Sequence, residues 1–203
     1  MADLLDVRLT LVSKSPRRAE LLRRLDVPFD VYPSRAAEHW LDRDVVSLAQ
    51  SNARRKVERS PVFGDRSRLL LGADTLIRAE PYLFGKPAGA ESAKRMLQCL
   101  SGRRHDVTTG VYMIAPAANP DWPAVCVETA LTSYVEFHKL TSTQIRAYLD
   151  SGEWQGKAGA YAVQGLARDF VAHLEGDFDN VVGLPVKLIH DLLREKFFHC
   201  RLC

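Results

Sequence analysis

The sequence predicts an α/β protein with a mixed sheet flanked by helices, and three observations carry that expectation. Apolar runs of strand length recur between segments whose apolar residues fall at spacings of three and four. The 203 residues are 46% apolar and 26% charged, enough to bury a full core. No repeat and no linker-like stretch divides the chain, so residues 1–203 are expected to form a single domain.

The first strand is the alternating run Leu9-Thr10-Leu11-Val12, and it breaks into a helix start at Ser15-Pro16-Arg17-Arg18. Ser15 is a preferred N-cap residue, and Pro16 at the first helical position loses no hydrogen bond. Ala19, Leu21, Leu22 and Leu25 continue the helix. Residues 27–33 alternate between bounding prolines and read as a short strand. After a polar loop with Glu38, His39 and Trp40, residues 42–60 carry Val45, Leu48, Ala49, Ala53 and Val57 along one helical side. Residues 68–74 form an apolar run suited to a strand buried on both faces, expected to end on the carboxylate of Asp74.

Leu76-Ile77 and Tyr82-Leu83-Phe84 suggest a hairpin leading to Gly85-Lys86-Pro87. Residues 90–100 read as a helix closed by Ser101-Gly102. Residues 107–115 and 124–137 read as two long strands, and 141–150 as a helix capped by Thr141 or Ser142. Strands are expected at 163–166 and 170–174, and a last helix over 185–198 begun by Pro185.

Composition excludes several classes. A formal net charge of +3 without any run of five like charges argues against nucleic acid as a partner. No apolar stretch approaches the roughly 20 residues of a membrane span, and Met1-Ala2-Asp3 does not open a signal segment, so a cytoplasmic protein without membrane contact is expected. Cys200 and Cys203 have Cys-x-x-Cys spacing, but no second pair completes a zinc site.

Several residues could carry chemistry. Arg17 and Arg18 lie in a helix's first turn, where a cation is disfavoured by roughly 0.3–1 kcal/mol unless an anion binds there. A strand-to-helix turn with free N–H groups and paired guanidiniums describes a phosphate site; a solvated helix end is the other reading, and the stretch alone leaves both open. Asp74 stands where ligands bind in open α/β sheets, though taken alone it reads more readily as capping the turn into Thr75-Leu76. Lys86 sits on a rigid turn. Lys56 shares a basic helical face with Arg54 and Arg55, and Lys157 and Gln164 flank small residues that allow close backbone approach. His105 lacks a serine or cysteine in an elbow context and is read as structural.

In chain order, Ser13-x-Ser15-Pro16-Arg17-Arg18, Asn52-Ala53-x-x-Lys56, Gly72-Ala73-Asp74-Thr75, Gly85-Lys86-Pro87, Leu100-Ser101-Gly102-x-x-His105-x-Val107, Lys157-Ala158-Gly159-Ala160-Tyr161-x-x-Gln164-Gly165 and Val182-Gly183-Leu184-Pro185 resemble the Maf family of nucleoside triphosphate pyrophosphatases. The resemblance spans nearly the whole chain. It implies an elongated, twisted sheet in two lobes with a central cleft, and cleavage of a nucleoside triphosphate between its α and β phosphates. It further implies that Ser13, Arg17, Arg18, Lys56 and Lys86 bind substrate, that Asp74 is the general base, and that Glu38 and Asp74 hold a divalent cation, Mg2+ or Mn2+. Gln164 and the unbroken Lys157–Tyr161 run are similar to the branch preferring dTTP and UTP, not to the 7-methyl-GTP branch. Gly156 departs from the aspartate common before this lysine, so no role passes to it. A homodimer is also implied. The rival readings are a purine or 7-methyl-GTP house-cleaning pyrophosphatase and a non-catalytic nucleotide-binding regulator of cell division.

Overall fold

The computed structural model describes residues 8–37, 44–115 and 124–197. Glu38, Cys200 and Cys203, named above, lie outside them. In chain order the elements are β1 (Arg8–Val12), α1 (Pro16–Arg23), β2 (Phe29–Tyr32), α2 (Val45–Glu58), β3 (Arg68–Ala79), β4 (Tyr82–Phe84), α3 (Ala90–Leu100), β5 (Arg104–Ala115), β6 (Val125–Phe137), α4 (Ser142–Asp150), β7 (Val171–Glu175), α5 (Phe178–Val182) and α6 (Val186–Leu192). The seven strands form one mixed sheet of order β2-β1-β3-β5-β6-β7, with β4 pairing β3. β1 runs parallel to both β2 and β3, whereas β3 with β4 and β6 with β7 are antiparallel. The α/β class read from the sequence is therefore the class of the structure.

The chain divides into two compact units. One comprises the described residues up to Asp74, those within Gly110–Ala130, and those from Gly183 onward. Its core gathers Val12, Ala53, Val57, Leu70 and Tyr112, where α2 lies on the sheet. Two glycines permit that approach: a Cβ at Gly72 would stand 2.6 Å from the Ala53 carbonyl oxygen, and one at Gly110 would stand 2.2 Å from the Ala49 carbonyl carbon. The other unit comprises Thr75–Thr109 and Leu131–Val182. Its core is larger, built on Leu97, Leu100, Val107, Val135, Phe137, Ile145, Tyr148, Tyr161 and Phe170.

Four sequence expectations are corrected. β3 does not end at Asp74 but continues to Ala79, because Ile77, Arg78 and Ala79 pair with β4 and the carboxylate has a cation to face. Residues 163–166 form no strand. The amide of Gly165 closes a turn onto the Ala162 carbonyl, and a 3-10 helix at Leu166–Phe170 follows, so these backbone donors are withdrawn from any ladder. The last helix is regular only over Val186–Leu192 and widens into a π-type turn at Leu193–Phe197, with Leu193 and Phe197 buried; Pro185 caps it instead of opening it. α2 begins at Val45, not at residue 42, because the Asp44 carboxylate accepts from the Ser47 amide and fixes the N-cap there. Thr141 is the cap of α4, in a reciprocal box with Gln144.

Candidate active site

The first unit collects Ser13, Arg17, Arg18, Lys56 and Asp74. Parallel pairing of β1 with β3 runs as far as Leu11 opposite Leu71, so Ser13 and Asp74 both follow the carboxyl-side limit of that pairing. This is the edge at which parallel α/β sheets bind ligands. Beyond β1 the chain turns at once into α1. Ser15 occupies the N-cap position with extended backbone, yet its side chain makes no capping hydrogen bond; instead its amide donates to Ser13 Oγ at 3.1 Å. Ser13 is buried at the foot of the helix. No acidic residue lies in the first turn of α1, so the positive end of the dipole and two guanidiniums stand together there. Arg18 is 8% exposed, and its Nε donates to the Gly183 carbonyl at 2.7 Å. A guanidinium gripped at Nε has its fork fixed in direction, as recognition of a planar anion demands.

Lys56 comes from the last turn of α2, and Asp74 from the middle of β3. Both are buried. The Lys56 ammonium donates to Asp74 Oδ1 and lies 3.5 Å from the Ala73 carbonyl oxygen. Ser34, also buried, donates from Oγ to the Lys56 carbonyl at 3.4 Å. The second carboxylate oxygen, Asp74 Oδ2, is buried and accepts no hydrogen bond among the described residues. A buried charged oxygen without a donor is costly, by about 1–3 kcal/mol or more, unless water or a cation meets it. The sequence places Lys56 among substrate contacts; its direct partner here is Asp74.

An oxygen of this kind suits Mg2+ or Mn2+, hard cations that take one or two carboxylates and fill their remaining positions with water and phosphate oxygens. Among the described residues there is no group of three or more His, Cys, Asp or Glu that could hold a metal ion. Glu38, the other expected ligand, lies outside the described residues.

The second unit holds Lys86, His105 and the segment with Lys157 and Gln164. Lys86 and Gln164 are exposed. The Gly159 amide donates to the Gly85 carbonyl at 3.0 Å, which ties the Lys86 turn to the glycine-rich segment. Gly159 (φ 62) and Ala160 (φ 64) are both left-handed, and Ala160 is fully buried. Behind them, His105 Nδ1 faces the Arg103 carbonyl at 3.4 Å, so Nε2 is the acceptor for the Tyr161 hydroxyl at 2.9 Å. Edge-on packing of His105 against Phe137 and Tyr161 completes the wedge. Burial lowers the His105 pKa from 6.5 to about 4 and pushes the Tyr161 phenol up. Both are neutral at physiological pH, and His105 is the structural residue the sequence suggested.

Two features escaped the sequence: the pairing of Lys56 with Asp74, and the hydrogen bonds that Tyr148 and Glu153 make to the backbone on either side of Gln164. Lys56 and Asp74 stand 18 positions apart on different elements, and no spacing rule links them.

Comparison with known proteins agrees with the motif order. The model of the family described as Maf-like protein matches residues 8–196. A dTTP/UTP pyrophosphatase of Moorella thermoacetica is 43% identical over 187 residues, covering 92% of this chain and 93% of that protein. Proteins of the same name from Xanthomonas oryzae pv. oryzae, 40% identical over 91% of this chain and 96% of theirs, and from Koribacter versatilis, 38% identical over 94% and 95%, are similar along their lengths. Among solved structures, a HAM1 protein from Coxiella burnetii superposes with a TM-score of 0.46 at 14% identity, covering 93% of this chain and 99% of that one.

Proposed function

The chain belongs to the Maf-like family, and from that premise we propose that it hydrolyses dTTP and UTP to the monophosphate and pyrophosphate, removing nucleotides from the cytoplasmic pool. The single observation that carries the chemistry is Asp74: a buried carboxylate with one oxygen engaged by Lys56 and the other accepting no hydrogen bond among the described residues. Such a group is held in one orientation and presents one oxygen to a water. In the proposed step the water's proton passes to Asp74 Oδ2, its oxygen bonds to the α-phosphorus, and the bond from that phosphorus to the α,β-bridging oxygen breaks. Pyrophosphate leaves with the bond electrons.

Ser13 and the first turn of α1 with Arg17 and Arg18 are read as the phosphate-binding wall. A triphosphate brings about four negative charges, and backbone N–H groups at a helix start together with fixed guanidiniums offset them. Lys56 adds its charge while orienting Asp74. Lys86 and Gln164 are read as further substrate contacts, Gln164 toward the base. A divalent cation, Mg2+ or Mn2+, held by Asp74 and Glu38, supplies charge neutralisation at the phosphates when bound. Assembly as a homodimer is part of the same reading. Among the described residues no helix is long and apolar enough to cross a membrane.

Initial rates of pyrophosphate release from dTTP, UTP, CTP, ITP and 7-methyl-GTP with Mg2+ or Mn2+ test the reading. It expects dTTP and UTP to be fastest, with monophosphate and pyrophosphate as the only products. Release of orthophosphate, or a purine nucleotide as the fastest substrate, would contradict it.

A further inference from the structure

We propose that Tyr148 and Glu153 form a bracket that holds the turn bearing Gln164, and that through Gln164 this bracket sets the preference for thymine and uracil over cytosine. The proposal rests on the reading of Gln164 as the base contact and deepens it.

The bracket is built at the end of α4. Tyr148 lies in the last turn of that helix, 3% exposed, with its ring edge-on to Phe170. The chain then reverses. Ser151 Oγ donates to the Tyr148 carbonyl at 2.6 Å and accepts from the Glu153 amide at 3.2 Å, which fixes Glu153 relative to Tyr148. The Tyr148 hydroxyl donates to Glu153 Oε1 at 3.2 Å and accepts from the Ala162 amide at 3.1 Å. Glu153 Oε2 accepts from the Leu166 amide at 3.1 Å. Between those two amides, the Gly165 amide closes onto the Ala162 carbonyl at 3.0 Å, and Gln164 occupies the third position of the turn, exposed. A Cβ at Gly165 would come within 2.4 Å of Glu153 Oε2, so the carboxylate lies directly against the turn's backbone. Both chain segments flanking Gln164 are thus pinned by side chains from one short stretch.

Base chemistry gives the pinning its consequence. A glutamine amide offers one acceptor and two donors. The imide edge of thymine or uracil presents an N–H donor beside a carbonyl acceptor, and the corresponding edge of cytosine presents the reverse. A held turn keeps the Gln164 side chain within reach of that edge, and a loosened one weakens the contact that thymine and uracil gain over cytosine.

The test uses the full chain and steady-state kinetics on dTTP, UTP and CTP for Tyr148→Phe, Glu153→Ala, Glu153→Gln and Gln164→Ala, each singly and with Gln164→Ala, with folding followed by circular dichroism. The expected result is a fall of about 5- to 10-fold in the dTTP-to-CTP ratio of kcat/KM for Tyr148→Phe and Glu153→Ala, the loss of about one hydrogen bond, carried by KM for dTTP with CTP turnover little changed. Glu153→Gln, which keeps one acceptor, should fall between. None should lower the ratio further once Gln164 is alanine. Equal losses on all three nucleotides, or effects that add to those of Gln164→Ala, would overturn the bracket. A Gln164→Ala variant with an unchanged ratio would refute the base-contact reading itself, and the bracket with it. If Glu153→Ala does not fold, Tyr148→Phe, which removes a single hydroxyl, decides alone.

Discussion

At the scale of residues, the site turns on how a buried carboxylate and a buried ammonium are arranged. Lys56 and Asp74 are both buried and paired, so removing one leaves the other's charge uncompensated, at a cost of about 3–5 kcal/mol. Lys56→Met or Asp74→Leu alone should therefore lower stability by several kcal/mol in urea unfolding, while the double variant recovers most of it without recovering turnover. A double variant as unstable as either single would show that the pair is not the coupled unit described here. His105 makes a second prediction, on pH. Its folded pKa, about 4, lies below the 6.5 of an unperturbed histidine because burial disfavours the charged form. The unfolded chain therefore binds the proton first, and the stability tied to neutral His105, on the order of 3 kcal/mol, is fully present above pH 6.5 and is lost as pH falls toward 4. His105→Gln cannot titrate, so its urea-unfolding free energy should decline less steeply across that window. A slope equal to that of the parent protein would contradict the assignment.

At the scale of elements, the placement of Lys56 depends on α2 lying almost on the backbone of β3 and β5. Gly110 makes this possible, since any Cβ there would overlap the Ala49 backbone, which cannot yield as a flexible side chain would. Gly110→Ala should cost about 1–3 kcal/mol or more by overpacking and should also reduce turnover by displacing α2. Gly89→Ala, at the extended N-cap of α3 with no atom within 4 Å of the added Cβ, meets no clash and should cost only the poorer cap, about 0.5–1 kcal/mol in thermal unfolding, with turnover unchanged. Equal stability for the two would refute the close-packing account. The elements themselves were largely legible. Alternation and three-four spacing gave α1, α2, α3, α4 and the long strands to within a few residues, because each buries one face. Val163 and Leu166 give residues 163–166 the pattern of a strand, whereas the flanking amides of Ala162 and Leu166 are engaged by Tyr148 and Glu153 from elsewhere in the chain. The extension of β3 past Asp74 was hidden for a similar reason, since a carboxylate in mid-strand is tolerated only when a distant cation meets it.

At the scale of the whole molecule, the motifs read in chain order are distributed over two compact units. Ser13, Arg17, Arg18, Lys56 and Asp74 belong to one, and Lys86, His105 and Gln164 to the other. The family and its order of motifs were legible because they are properties of the linear chain. Which side chain meets which was not: the Lys56–Asp74 contact and the two amides held beside Gln164 depend on tertiary closure, which spacing does not encode. In the proposed reaction Asp74 Oδ2 takes the proton of the attacking water. Asp74→Asn tests it most directly, with pyrophosphate release from dTTP measured beside nucleotide binding on the folded, intact chain. With Asp74 as the base, kcat should fall about 10²- to 10⁴-fold with binding retained. Turnover near that of the parent protein, with nucleotide still bound, would contradict it.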